Sequence, residues 1–159
     1  MRKFISICIL SLFALCIASC SSEDSWDYDV NDSDLQYNKR DDLTILLPIG
    51  INGYRPEAKI ALTKKKNLPK PIVNIVNSWE NESHSPYTSV FTCEWHGKTI
   101  YCIFSTFMPS LFLSYYENGE KVPDLQNGDS DSLEEFFVTS TDWKIVYCVD
   151  ISRYLSDNI

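Results

Sequence analysis

Turn chemistry at fixed offsets divides the C-terminal half of the chain into short apolar runs. "SVFTCEW" and "TIYCIFS" flank His96-Gly97-Lys98, where Gly97 supplies the positive φ that a tight hairpin needs. "LFLSYY" runs into Glu117-Asn118-Gly119-Glu120, whose Asn-Gly pair is a strong short-range hairpin signal. "KV" then begins a return strand that Pro123 cuts off. "DWKIVYCVDI" is the last long run, and its apolar residues fall on both parities, as in a central strand covered on two faces. Strands separated by such tight turns pair antiparallel.

Upstream, "LTILLP" reads as a short strand ended by Pro48 and the turn glycines Gly50 and Gly53, and Ala58 to Leu62 reads as another. In "NLPKPIVNIVNSWEN", Ile72, Ile75, Val76 and Trp79 recur at i, i+3, i+4 and i+7 and line one face of a helix, with Asn67 as its cap. Ser132 followed by Glu135 fits a capping box for a short helix over "SLEEFF". Lys64-Lys65-Lys66 reads as a solvated turn. The expected fold is α+β: an antiparallel meander sheet of four to six strands, one principal helix on a face and a short second helix.

The N-terminus carries different information. Met1-Arg2-Lys3 is basic, and Phe4 to Ala18 is apolar apart from two serines. That run falls short of the roughly 20 residues a bilayer-spanning helix requires. It therefore reads as a cleavable signal peptide, residues 1–19. Ile17-Ala18-Ser19-Cys20 resembles a bacterial lipobox, which implies cleavage between Ser19 and Cys20 and lipidation of Cys20. Several acyl chains, at about 0.8 kcal/mol per buried CH₂, make a stable membrane anchor.

Residues 20–42 are rich in Ser, Asp and Asn and poor in aliphatics, so they read as a flexible acidic tether. Docking of Trp26, Tyr28 or Tyr37 on the domain is the alternative. Residues 43–159 then form one α+β domain. Removing Arg2 and Lys3 leaves 12 basic against 22 acidic residues, a formal charge of -10. Nucleic acid is excluded as a partner by that balance, because its phosphates demand clustered cations.

Of the six cysteines, Cys8 and Cys16 fall in the signal peptide, and Cys93, Cys102 and Cys148 are the three that follow Cys20. Export permits a disulfide, but an odd count leaves at least one thiol free or paired between chains. Three buried thiols are favoured over one bridge. The two histidines, His84 and His96, read as surface residues. Neither C-x-x-C, H-E-x-x-H nor a glycine-rich phosphate loop occurs, so the sequence assigns no metal site, no cofactor and no catalytic residue. Asp129, Asp131, Glu134 and Glu135 cluster without the spacing of a calcium loop. Aromatic residues crowd the domain. Consecutive Tyr115 and Tyr116 place one ring on each sheet face, and with Trp95 they are the candidate binding face.

Gly97 to Tyr101 ("GKTIY"), Tyr115 to Glu120 ("YYENGE") and Phe136 to Tyr147 ("FF…DWKIVY") together resemble a group of small secreted lipoproteins of the Bacteroidota. The resemblance spans about half of the chain after Cys20 and implies a fold more than a chemistry. In such bacteria, acids after the lipidated cysteine resemble a surface-export signal. Ser21-Ser22-Glu23-Asp24 with Asp27 and Asp29 fits that pattern, which implies display on the outer membrane surface over periplasm-facing retention. Asp131-Ser132-Leu133 resembles an O-glycosylation motif of the same bacteria.

The expected function is that of a lipid-anchored envelope binding module. It takes a protein or glycan partner, one version being an inhibitor or immunity protein steered to a basic target by charge. The alternative is a small carboxylate-dependent hydrolase or glycan-processing factor. An enzyme requires a pocket above about 300 Å³.

Overall fold

The computed structural model describes residues 28–83, 88–105, 113–125 and 129–155. The signal peptide, Ser19, Cys20, Trp26 and His84 lie outside these residues. The elements are β1 (Thr44–Leu46), β2 (Glu57–Ile60), α1 (Lys70–Ser83), β3 (Thr88–Trp95), β4 (Lys98–Ser105), β5 (Leu113–Tyr116), α2 (Ser130–Thr139), β6 (Thr141–Cys148) and α3 (Ser152–Leu155). Six strands form one sheet in the order β1-β2-β6-β3-β4-β5, so the fold is α+β with a mostly antiparallel sheet.

The topology departs from a meander at one place. β6 inserts between β2 and β3, antiparallel to β3 and parallel to β2. Central placement follows from its composition: Trp143, Ile145, Tyr147 and Cys148 are all buried, and such a strand is stable only with neighbours on both edges. Parallel contact with β2 continues past the strand through Ala61 N–H to Ile145 O and Thr63 N–H to Val146 O.

The hairpins follow their turn residues. Trp95 pairs with Lys98 across a two-residue loop, and His96 and Gly97 both hold positive φ. After β5 the turn is one residue longer. Gly119 alone takes the left-handed conformation, Tyr116 N–H bonds Glu120 O, and the Asn118 side chain accepts from Glu120 N–H. This is the three-residue loop with a glycine bulge. The expected return strand shrinks to a bridge of Tyr115 with Lys121.

Both faces of the central strands are covered. Register puts Trp95 and Tyr147 on opposite faces, since Val90 faces Tyr147 and differs in parity from Trp95. Helix α1 covers the Tyr147 face, burying Ile72, Val76 and Glu80 at i, i+4 and i+8. Full burial of an aliphatic side chain such as Ile72 or Val76 contributes about 1.5–3 kcal/mol. Helix α2 covers the other face through Phe136, which meets Trp95 edge-on at 5.2 Å and Trp143 at 5.6 Å.

Two helix starts differ from expectation. Asp129, not Ser132, caps α2, accepting from the Ser132 N–H and hydroxyl. Asn67 lies in a 3-10 turn before α1, its side chain bonded to Thr63. Residues 28–42 depart most from the expected tether. Val30 is 1% exposed within the core, and Asp34–Lys39 forms a 3-10 turn. Asn38 exchanges two 2.7 Å hydrogen bonds with the Leu62 backbone. Polar side chains fasten this segment, so its low aliphatic content did not reveal its docking.

Candidate functional site

The three residues expected to form a binding face do not share one. Trp95 is 5% exposed and packs under α2, with Nε1–H donating to Thr139 Oγ1 at 3.2 Å. Tyr115 is also 5% exposed, and burial pushes its phenol above the usual range. Both are core because α1 and α2 cover opposite faces, leaving no open aromatic surface there. Tyr116 is half-buried, and Lys98 Nζ sits over its ring at 4.7 Å, a cation–π contact.

Tyr116 lines a recess of about 790 Å³ at the hairpin end of the sheet. Lys98, Glu117 and Glu120 supply charge, while Pro69 and Pro71 from the entry to α1 supply an apolar wall. The sequence creates this wall locally. Prolines are tolerated in the first turn of a helix, where backbone N–H groups lack helical partners. Gly119 closes the rim: a Cβ there would lie 2.7 Å from the Pro71 Cβ. The volume exceeds the size an enzyme pocket requires.

A second polar constellation is buried, and it overturns the solvated-turn reading of the lysine run at Lys65, which is 7% exposed. Lys65 Nζ lies 2.7 Å from Glu80 Oε2, with the side chains 9% and 1% exposed. Tyr147 donates its hydroxyl to Glu80 Oε1 at 2.8 Å and is also 3.2 Å from Tyr28 O. Asp29 Oδ1 accepts from the Lys65 and Val30 backbone N–H groups, both at 2.8 Å. Lys64 reaches Val30 O and pairs with Asp32. Burial, then the Glu80 charge, drives the Tyr147 phenol far upward, so it stays a neutral donor. The cluster clamps the N-terminal segment to α1 and β6. A signal was present in part: Glu80 extends the buried spacing of Ile72 and Val76, and the lysine run offers its counter-charge.

Cys93, Cys102 and Cys148 are free, buried thiols. Burial raises the Cys102 thiol, with Cys93 beside it, and pushes Cys148 up to about 12. Neither is poised as a thiolate nucleophile. His96 stacks on Trp95 at 4.2 Å and faces Glu135 at 3.4 Å on the exposed surface. Ser132 of the tripeptide Asp131-Ser132-Leu133 donates its hydroxyl to Asp129 at 2.9 Å. Among the described residues, no three His, Cys, Asp or Glu side chains converge on a common point, and no helix is long and apolar enough to cross a membrane. No family model, curated protein or solved structure matches this chain.

Proposed function

We propose that this chain is a lipid-anchored envelope protein whose domain binds a protein or glycan partner at the Tyr116 recess. The observation that carries the binding reading is Tyr116 itself. It is the one residue of the expected binding face that stays half-exposed, and it lines a large recess with charges of both signs and an apolar wall. Such a mixture suits recognition, in which a few polar groups orient a partner over apolar contact. The anchor rests on the lipobox-like Ile17 to Cys20, and display at the outer surface rests on the acids that follow. Eight residues from Cys20 to Asp27 precede the first described residue, a reach of at most about 28 Å. The domain is therefore held close to the membrane, and its partner must approach there.

The anchor and the recess are tested separately. Cys20→Ala should abolish incorporation of labelled palmitate and leave the protein unprocessed or soluble. Unchanged membrane fractionation of that variant, with no acyl mass shift in the parent, overturns the anchor. For the recess, the mature chain is used to capture envelope components, with Tyr116→Ala and Glu117→Gln as controls. A partner retained by the parent and lost with both variants supports the reading, and identical capture by all three overturns it. Glu117 and Glu120 in one recess also suit the hydrolase alternative. Release of reducing sugar or peptide by the parent, abolished by Glu117→Gln, would favour that alternative.

A further inference from the structure

Three Asn-Gly pairs occur in the chain: Asn52-Gly53, Asn118-Gly119 and Asn127-Gly128, the last outside the described residues. Such a pair carries its own chemistry. The amide nitrogen of the glycine can attack the carbonyl carbon of the asparagine side chain, since the glycine has no Cβ to block the approach. The surrounding fold decides whether that nitrogen and that carbonyl are free to meet. The two described pairs differ in this respect.

Asn52-Gly53 is the tip of a hairpin. The pairing of β1 with β2 continues through Leu47 N–H to Pro56 O and ends at Ile51 and Tyr54, which exchange backbone hydrogen bonds of 2.9 and 2.8 Å. Both tip residues are exposed and hold positive φ, 50° for Asn52 and 80° for Gly53. The Gly53 N–H has no acceptor among the described residues. A Cβ placed on Gly53 would meet nothing within 4 Å. One contact holds the Asn52 side chain: Nδ2 donates to Glu134 Oε2 on α2 at 2.9 Å, which leaves the side-chain carbonyl open. At Asn118-Gly119 both reacting groups are occupied. Gly119 N–H donates to Tyr116 O at 2.9 Å, and Asn118 Oδ1 accepts from Glu120 N–H at 3.0 Å. Pro71 also closes the space beside Gly119, 2.7 Å from where a Cβ would lie.

We propose that Asn52 is a site of spontaneous deamidation, and that the carboxylate it yields releases the hairpin tip from α2. The Gly53 amide nitrogen gives its proton to water or hydroxide and bonds to Asn52 Cγ. The Cγ–Nδ2 bond breaks, and Nδ2 leaves as ammonia with a proton from water. A water molecule then opens the cyclic imide. Cleavage of the new N–Cγ bond gives aspartate, and cleavage of the original peptide bond gives isoaspartate, whose backbone runs through the side-chain methylene. Either product removes the donor to Glu134 and sets two carboxylates against each other across that contact. Loss of ammonia is one-way, so the change accumulates with the age of the protein. Neither Asn52 nor Glu134 lines the Tyr116 recess, so failure of one proposal leaves the other standing.

The test incubates the mature chain at mildly alkaline pH, both native and in urea. Each Asn-Gly peptide is followed by mass spectrometry, and isoaspartate is detected by enzymatic methylation. In urea, Asn52 and Asn118 should react at similar rates. In the native protein Asn52 should convert about tenfold or more faster than Asn118, whose reaction must first break two hydrogen bonds. Asn52→Asp should speed backbone amide exchange at Ile51 and Tyr54 severalfold, as the tip opens locally. Adding Glu134→Gln should reverse that gain, because the glutamine amide donates to the new carboxylate. Native conversion of Asn118 at least as fast as that of Asn52, or native Asn52 as strongly protected as Asn118, overturns the site. Exchange unchanged in Asn52→Asp, or not restored by Glu134→Gln, overturns the release.

Discussion

Lys65 and Glu80 form an ion pair of 2.7 Å inside the fold, fifteen positions apart in the chain. Both charges are removed from water, so each depends on the other. Desolvation of two ions offsets much of their attraction, and the pair confers little net stability over an apolar substitute. What it does confer is geometry. Glu80 receives Lys65 and Tyr147 together, and Tyr147 and Lys65 in turn touch the backbone or side chains of residues 28 and 29.

Breaking one partner should therefore cost far more than replacing both. Glu80→Ala leaves a buried ammonium and should destabilise the domain by about 3–5 kcal/mol in urea melts. The double variant Lys65→Met/Glu80→Leu should recover most of that loss. Additive losses in the double variant would argue against a coupled pair.

Truncation at residue 43 tests the docking of the N-terminal segment. Val30 is fully buried, and Val30→Ala alone should cost about 1–3 kcal/mol through lost burial and the cavity it leaves. Deleting residues 28–42 should lower Tm further and expose the chain to proteolysis at α1. A truncated domain with unchanged Tm would restore the tether reading.

Alkaline pH should unfold the protein through groups that the fold keeps protonated. The folded Cys148 thiol is raised from its usual 9.0 to about 12, and the Tyr154 phenol from 10.0 to about 12, in both cases mainly by burial. Tyr147 shifts in the same direction. The unfolded chain releases these protons first. Their stabilisation is complete below pH 9.0 and is lost as pH rises toward about 12. Urea-unfolding free energy measured across that window should fall steadily, and phenolate absorbance should report tyrosines that ionise only on unfolding.

Gly119→Ala should be more harmful than Gly97→Ala. Both glycines hold positive φ, which costs an L-residue about 1–2 kcal/mol. Only at Gly119 does the added methyl also collide, with Pro71 at the start of α1. Thermal melts should separate the two variants, and Gly119→Ala should also distort the Tyr116 recess. Equal melting temperatures would mean that Pro71 yields freely.

Local chemistry made much of the fold legible. Gly97 with its flanking apolar runs specifies the β3–β4 hairpin, because a two-residue loop needs positive φ that few residues tolerate. The 3.6-residue spacing of Ile72, Ile75 and Val76 specifies α1. The candidate site was legible only in Tyr116. Trp95 and Tyr115 carry the same aromatic signal, but whether a ring is covered depends on which helix crosses its face.

The sequence by itself determined the strands, the turns, the principal helix and the acidic charge of the chain, because each follows from residues close together in the chain. Tertiary structure alone decided that β6 enters between β2 and β3, that Glu80 and Lys65 meet, and that residues 28–42 dock on the domain. It also decided that Tyr54, Ser140 and Trp143 line one recess. Those outcomes depend on contacts between distant residues, whose energies are set by packing and desolvation and leave no local periodicity to read.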